Sequence, residues 1–130
     1  MSSNLDVIRS VYQAFAVGNI PAVLAALSPN VRWTEAEGGP YGGVSIGPNA
    51  VLENVFMKLG GEWDGFAATP QRFHDAGNSV VVEGRYTGTC KATGKPLDAQ
   101  FCHVWIVSDG KLTAFQQYTD TAQMWAVMTP

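Results

Sequence analysis

Charged residues are scarce in this 130-residue sequence: Asp, Glu, Lys and Arg make up 15% of it, while hydrophobic residues make up 46%. An average soluble domain carries about 25% charged residues. This shortage of polar surface favours a chain that covers part of its apolar surface with a ligand or a partner. The net charge of -3 and the lack of a basic run argue against nucleic-acid binding, which needs a clustered Lys/Arg face.

Long apolar runs, a basic leader and clustered metal ligands are also lacking. No apolar run approaches the roughly 20 residues of a membrane-spanning helix, and the start, MSSNLD, does not resemble a signal peptide. The two cysteines, Cys90 and Cys102, do not face each other in the hairpin predicted below, so we interpret them as free thiols in a reducing compartment. His74 and His103 stand far apart without clustered acids. We therefore expect a cytoplasmic protein with no membrane association, metal or cofactor.

The stretch over residues 31–43 (VRWTEAEGGPYGG) carries the clearest chemical signal. It predicts a short strand that runs into a glycine-rich loop. Alternation along the strand places Val31, Trp33 and Glu35 on one face. Burial beside a valine and a tryptophan would raise the pKa of Glu35 and make it a proton acceptor near neutral pH. The alternative is that Glu35 lies at the strand end and is solvated.

The order of the predicted elements indicates an α+β fold. Apolar residues at helical spacing and the stop signals after them predict three helices in the N-terminal half, over residues 5–17, 21–27 and 47–59. Alternating segments bounded by turn residues predict the strands 31–36, 66–75, 80–90, 97–107 and 112–119. Asp120 can then cap a short C-terminal helix that reaches residue 128. We expect one domain over residues 1–130, in which the three helices close one side of a curved, cone-shaped, mainly antiparallel (mixed) sheet with an apolar interior.

Several segments resemble one family of cone-shaped folds. They are the pairs Ala14-Phe15 and Gly18-Asn19, the segment 27–33 (LSPNVRW), the pair Gly47-Pro48, the segment 103–111 (HVWIVSDGK) and the segment 118–120 (YTD). In these segments the chain resembles SnoaL-like members of the nuclear transport factor 2-like superfamily, which includes ketosteroid isomerase. The resemblance covers nearly the whole chain and implies the fold. It leaves the function open, because this fold hosts isomerases, cyclases, hydrolases, dehydratases and binding modules.

The likeness to ketosteroid isomerase implies a base at Glu35. That enzyme uses an aspartate base and two oxyanion donors, a tyrosine and a protonated aspartate. Gap-free counting places Glu35 at the position of the base and Cys102, a poor donor, at that of the protonated aspartate. The tyrosine's position falls on Val11, next to Tyr12. Steroid isomerisation is therefore not expected, since the donors are lacking or displaced.

The likeness to SnoaL-type polyketide cyclases implies a histidine and an aspartate in the last two strands, represented here by His103 and Asp120. In those cyclases the aspartate is the acid/base of an aldol ring closure. The alternatives are that Asp120 is a helix cap and that His103, flanked by Phe101 and Trp105, packs in a core or an interface. His103 and Cys102 have opposite strand parity, so both can line the cone only if a bulge intervenes.

These observations favour an enzyme without a cofactor, of isomerase, cyclase or dehydratase type, acting on a small apolar molecule that carries a carbonyl group. Its candidate catalytic residues are Glu35, Asp120 and His103. Its candidate ligand-binding residues are Tyr12, Trp33, Tyr41, Phe56, Trp63, Cys102, Phe115 and Gln117. The alternatives are a non-catalytic module that binds a small molecule, and a protein whose outer sheet face serves association.

The outer sheet face is expected to form a homodimer, which is compatible with either of the other hypotheses. Members of the superfamily that this chain resembles commonly dimerise through that face. Phe101, His103, Trp105 and Tyr118 are expected to lie on it.

Overall fold

The computed structural model describes residues 3–130 and confirms the α+β architecture. Helices come first in the chain and a six-stranded sheet follows, with a short helix at the end. The helices are α1 (Asn4–Ala16), α2 (Ile20–Ala26), α3 (Pro48–Val51), a π-helical segment (Leu52–Phe56), α4 (Met57–Glu62) and α5 (Thr121–Met128). The strands are β1 (Leu27–Glu35), β2 (Gly43–Ile46), β3 (Trp63–Ala76), β4 (Ser79–Cys90), β5 (Pro96–Ser108) and β6 (Lys111–Thr119). No helix within residues 3–130 has the length and apolar character needed to cross a membrane.

The first two helices begin at side-chain caps. Ser3 accepts a hydrogen bond from the backbone N–H of Asp6, and the Asp6 carboxylate accepts one from the backbone N–H of Ser3, which completes a capping box. Asn19 accepts from the backbone N–H of Ala22 at the start of α2. The apolar stripe of α1 is buried against the sheet and brings Tyr12 over its concave face.

The third predicted helix is interrupted by π-helical geometry. The segment Leu52–Phe56 lies between α3 and α4, where the hydrogen bonds span one residue more than in an α-helix. Val55 and Phe56 are buried there, and both face the interior cavity described below. Such a segment shifts the side chains that follow it around the helix axis, which apolar spacing does not reveal.

The sheet is mixed and has the strand order β2-β1-β6-β5-β4-β3. β1 runs parallel to β6, and the other neighbouring strands are antiparallel. β2, for which the sequence predicted no strand, pairs with the end of β1 and places Gly43 opposite Glu35. This pairing holds the backbone of Glu35 on the β2 side of the strand.

The orientation of β5 corrects one prediction. Phe101, His103 and Trp105 were expected on an outer association face, yet all three are at most 4% exposed and face the helices. The intervening residues, such as Cys102, turn to the outer face. Both faces of β5 carry apolar residues, so the alternation divides the strand into two sets of side chains without showing which set faces the interior. Of the four residues expected on the outer face, Tyr118 is exposed.

Candidate functional site

A small cavity of about 50 Å³ lies between the helices and the concave face of the sheet. Its apolar walls come from helices and strands alike and include Val11, Phe15, Val23, Trp33, Val55, Phe56, Leu59, Trp105 and Phe115. Its polar lining is formed by Tyr12, Glu35, Tyr41, Tyr86, His103 and Gln117. An apolar cavity with a few converging polar groups has the character of a small-molecule site.

The Glu35 carboxyl group is the ionisable group of the cavity with an unpaired oxygen. It is 4% exposed, and its Oε2 atom has no hydrogen-bond partner among residues 3–130. Burial raises the pKa of Glu35 to about 7, and the neighbouring Trp33 indole opposes this shift. The indole N–H of Trp33 is itself without a partner of acceptable geometry in the described chain, so its effect is proximity rather than a formed hydrogen bond. Near neutral pH a substantial part of Glu35 is ionised and able to accept a proton.

His103 lies between two tyrosine hydroxyls. Its Nδ1 atom is 2.6 Å from the hydroxyl oxygen of Tyr12, and its Nε2 atom is 2.5 Å from that of Tyr86. The ring also stacks on Phe101, with 4.0 Å between centroids. Burial lowers the pKa of His103 to about 3, so the imidazole is neutral at physiological pH.

The hydrogen-bonded chain continues beyond both tyrosines. The Trp105 indole N–H donates to the Tyr12 oxygen at 2.9 Å. At the other end the Gln117 side-chain amide donates to the Tyr86 oxygen at 2.7 Å. Gln117 in turn accepts from the backbone N–H of Ala36 at 3.1 Å, and Ala36 directly follows Glu35. Buried polar networks of this kind hold their members rigidly when every member is satisfied.

Tyr41 closes one side of the cavity. Its hydroxyl donates to Oε1 of Glu62 at 2.6 Å and accepts from the Trp63 indole N–H at 2.9 Å. Burial and the bond to Glu62 both raise the pKa of Tyr41 above its usual value, so the phenol stays protonated. The glycine-rich loop is thus fastened to α4 and β3 through one tyrosine.

Most of the residues predicted from the sequence meet in this cavity. Those that line it are Tyr12, Trp33, Glu35, Tyr41, Phe56, His103, Phe115 and Gln117. Trp33 and Phe115 stack with 3.9 Å between ring centroids and form one wall. The geometry shows where these residues lie, and their roles remain proposals.

Three predicted site residues lie elsewhere. Trp63 is buried behind Tyr41 and packs on Phe66, so it supports the wall and does not line the cavity. Cys102 lies on the outer face of β5, because the adjacent His103 points inward and no bulge separates the two residues. Asp120 caps α5 by accepting from the backbone N–H of Gln123 at 3.0 Å, the structural alternative considered for it.

Tyr86 is the polar cavity residue that the sequence analysis missed. It is 4% exposed and lies in the middle of β4, where burial alternates from Val80 through Val82 and Gly84 to Tyr86. These residues alternate with Glu83 and Arg85 in the sequence, and this alternation could have predicted that Tyr86 points inward. A tyrosine on the apolar side of such a strand needs a partner for its hydroxyl, and His103 supplies it.

The described residues offer no cluster for a metal ion. No three His, Cys, Asp or Glu side chains converge within residues 3–130. The polar groups that do converge are a carboxyl, a neutral imidazole, three phenols and an amide, which together can accept one proton and donate hydrogen bonds.

Comparison with known proteins identifies the family. A family model for the SnoaL-like domain matches residues 8–115. This chain belongs to the SnoaL-like family. No curated protein matches this SnoaL-like chain.

Solved structures resemble this SnoaL-like protein over its whole length. An NTF2-like protein from Burkholderia thailandensis is 36% identical, with all of both chains covered and a TM-score of 0.96. TerC, co-crystallised with polyporic acid, is 27% identical over 98% of each chain, with a TM-score of 0.88. A putative SnoaL-like polyketide cyclase from Jannaschia sp. is 17% identical, covers 100% of this chain and 98% of its own, and has a TM-score of 0.79, so it shares the fold.

Proposed function

We propose that this SnoaL-like protein binds a small, largely apolar carbonyl compound in its cone and moves a proton on that compound, with Glu35 as the base. The reaction class is that of a cofactor-independent isomerase or cyclase. The observation that carries the proposal is the unpaired, buried Oε2 atom of Glu35 at the cavity wall. A buried carboxylate without a partner costs free energy, and such groups cluster at functional sites.

The proton transfer follows from the chemistry of the lining groups. The Glu35 carboxylate takes a proton from the carbon beside the ligand carbonyl, and the C–H electron pair becomes that of an enolate. Glu35 is then neutral, as burial favours, and can return the proton to the same or another carbon of the ligand. The enolate oxygen needs a hydrogen-bond donor, which is commonly the largest single contribution to such a barrier reduction.

The other two candidate catalytic residues receive different roles. His103 has both ring nitrogens engaged by tyrosines and a pKa near 3, so it serves as a positioning residue and not as a base. Asp120 is bonded to the start of α5 and is not among the residues that line the cavity. Proton transfer is therefore assigned to Glu35.

The cavity supports a compact ligand. A volume of about 50 Å³ is several times the space that one water needs, so a molecule of a few heavy atoms fits with small movements of the walls. A larger ligand requires Tyr41 to move away from Glu62. Co-crystallisation of the similar protein TerC with polyporic acid supports the proposal that this fold receives organic molecules.

The decisive experiment is hydrogen–deuterium exchange of acetylacetone in D₂O, followed by proton NMR with the buffer-catalysed rate subtracted. Wild-type protein should accelerate the exchange, and the rate should rise with pH through about 7 as Glu35 ionises. Glu35→Gln, which keeps the size of the side chain, should lose about 10²–10⁴-fold, the usual contribution of a general base. Glu37→Gln is the matched control on an exposed glutamate. Equal exchange by wild type and Glu35→Gln would refute the role of Glu35.

A second candidate function is ligand binding without catalysis. The bonds of Tyr41 to both Glu62 and Trp63 favour it, because they keep one side of the cavity closed and would hold a bound ligand inside. In that case acetylacetone would shift the resonances of cavity residues while its exchange stayed at the buffer rate.

We also propose that the outer sheet face forms a homodimer, although Phe101, His103 and Trp105 do not belong to it. Strand register places Ile46, Arg32, Ala114 and Ile106 side by side across four strands. The two isoleucines are exposed, and Val44 and Tyr118 extend the apolar surface. Exposed apolar side chains grouped around one arginine in this way are compatible with an association face.

Sedimentation at micromolar concentration tests the dimer. Ile106→Glu should convert a dimer to a monomer, whereas Val17→Glu, at the exposed end of α1, should leave the mass unchanged. A wild-type protein that sediments as a monomer would refute this proposal and leave the cavity proposal intact.

A further inference from the structure

The hydrogens around His103 outnumber the hydrogen bonds that can use them. A neutral imidazole carries one N–H, and the Tyr12 and Tyr86 hydroxyls carry one hydrogen each. These three hydrogens serve two contacts, Tyr12 to Nδ1 and Tyr86 to Nε2. One nitrogen must accept from its tyrosine while the other donates to its tyrosine. The tyrosine that accepts from His103 therefore has a hydroxyl hydrogen left over.

The outer ends of the chain cannot absorb this extra hydrogen. The Trp105 indole N–H is a donor only, so the Tyr12 oxygen accepts from it. The backbone N–H of Ala36 is also a donor only, which fixes the Gln117 amide with its oxygen toward Ala36 and its nitrogen toward Tyr86. The Tyr86 oxygen thus accepts from Gln117. In both directions the neighbours donate toward the tyrosines, and the surplus hydrogen stays on one of them.

The position of Glu35 favours Tyr86 as the holder of the free hydrogen. The Tyr86 oxygen is connected to Glu35's neighbour in the chain through one glutamine side chain, and both residues line the same cavity. Burial and then the Glu35 charge raise the pKa of Tyr86, in keeping with a carboxyl group near that hydroxyl. Tyr12 also lines the cavity, but its oxygen accepts from the Trp105 indole N–H, at the opposite end of the network from Gln117 and Ala36. A hydroxyl hydrogen that points toward a carboxylate is electrostatically favourable, and this favours the tyrosine at the Ala36 end of the network.

We propose that His103 is held as the Nε2–H tautomer and that the Tyr86 hydroxyl is thereby left free to donate to a ligand oxygen beside Glu35. The proposal rests on the proposed function and extends it, because it assigns the donor that the enolate oxygen requires. The ligand class that uses both groups is an enolisable carbonyl compound, with its oxygen on Tyr86 and its acidic hydrogen on Glu35. In the reaction Tyr86 donates a hydrogen bond to the developing oxyanion and keeps its proton.

The tautomer is measured directly on the wild-type protein. Long-range ¹H–¹⁵N correlation spectra distinguish a protonated Nε2 from a protonated Nδ1, and His74→Gln assigns the two histidines. The expected result is a neutral His103 protonated at Nε2. Protonation at Nδ1 would overturn the proposal, because the free hydroxyl would then belong to Tyr12. This measurement needs no variant of the network and stands even if such variants fold poorly.

Binding tests whether the Tyr86 hydroxyl contacts the ligand. Acetylacetone and pentan-2-one are titrated by NMR into the wild type and Tyr86→Phe, with Tyr118→Phe as the matched control on an exposed tyrosine. Tyr86→Phe should weaken both probes about tenfold, the loss of one well-formed hydrogen bond. Tyr118→Phe should leave both affinities unchanged. Unchanged affinity of Tyr86→Phe for both probes would overturn the proposal.

The two proposals fail in distinguishable ways. Pentan-2-one keeps one carbonyl and the chain length of acetylacetone but lacks the acidic hydrogen between two carbonyls. Loss of exchange in Glu35→Gln together with full affinity in Tyr86→Phe would refute the donor and retain the base. Weaker binding in Tyr86→Phe together with full exchange in Glu35→Gln would refute the base and retain the donor.

Discussion

The hydroxyl of Tyr12 on α1 lies 2.6 Å from Nδ1 of His103 on β5, so the first helix is tied to the centre of the sheet by one buried hydrogen bond. These residues are separated by 91 positions in the chain. The contact contributes both to the fold and to the site, since the second nitrogen of the same imidazole is hydrogen-bonded to Tyr86. Its removal is therefore expected to affect stability as well as ligand binding.

His103→Leu should lower the free energy of unfolding by about 2–6 kcal/mol, because two buried hydroxyls lose a partner at about 1–3 kcal/mol each. Urea unfolding followed by circular dichroism measures the change. His74→Leu is the control: His74 is exposed and pairs with Glu83 on the surface, so its loss should change the free energy by no more than about 0.5 kcal/mol. Similar effects of the two substitutions would contradict a buried network at His103.

The sequence predicted the helices and most strands because their signals are local. Helix α1 begins directly after its cap Ser3, and α5 begins at Thr121 after its cap Asp120, both within a residue or two of expectation. The four residues of β2 were missed, since a short strand flanked by glycines shows no alternation of its own. The π-helical segment was missed because its extra residue per turn alters the apolar spacing only slightly.

The sequence predicted which residues form the site better than it predicted how they are arranged. Glu35 could be placed beside Trp33 because strand parity is a property of the sequence. The sequence did not show which face of β5 points inward, because Cys102 and the alternate residues that follow it on the outer face are also apolar. Tyr86 and His103 meet across two strands, and the register that pairs Val82 with His103 is a tertiary feature.

Glu35→Gln should stabilise the protein increasingly as the pH rises. The carboxyl group ionises near 4.5 in its ordinary state and at about 7 in the folded protein. Between these values the folded state holds a proton that the unfolded state has released, so the free energy of unfolding falls as the pH rises. The stabilisation by neutral Glu35 is complete below the lower value and is lost above the upper one. The shift corresponds to about 3 kcal/mol.

Urea unfolding of wild type and Glu35→Gln between about pH 4 and about pH 8 measures this difference. His103 has the opposite slope, because its pKa is lowered to about 3, but it is common to both proteins and cancels. Burial raises the pKa of the other ionisable groups that face the cavity, so that they stay neutral in this range: Tyr12, Tyr41 and Tyr86. A difference that does not change with pH would show that Glu35 is solvated.

Gly84→Ala should be strongly destabilising although the side chain grows by one methyl group. A Cβ atom at Gly84 would overlap the carbonyl oxygen of Thr69 on β3 and the ring of Phe101 on β5. Backbone on one side and a buried ring on the other leave no room for relief, and overpacking of this kind costs about 1–3 kcal/mol or more. Gly60→Ala on α4 is the control, because its Cβ meets nothing within 4 Å and alanine favours the helix. Thermal unfolding should rank Gly60→Ala above wild type and Gly84→Ala below it.

Tyr41→Phe should loosen the closed side of the cavity without disturbing its interior. The substitution removes the bond to Glu62 and leaves the Trp63 indole N–H without its acceptor, while the ring and its packing are kept. Hydrogen exchange of the indole N–H groups reports this directly: the Trp63 signal should exchange faster. The Trp105 signal, whose acceptor is Tyr12, should be unchanged and serves as the internal control. If Trp63 exchanges at the wild-type rate in Tyr41→Phe, its protection comes from burial, and access to the cone does not depend on the bonds of Tyr41.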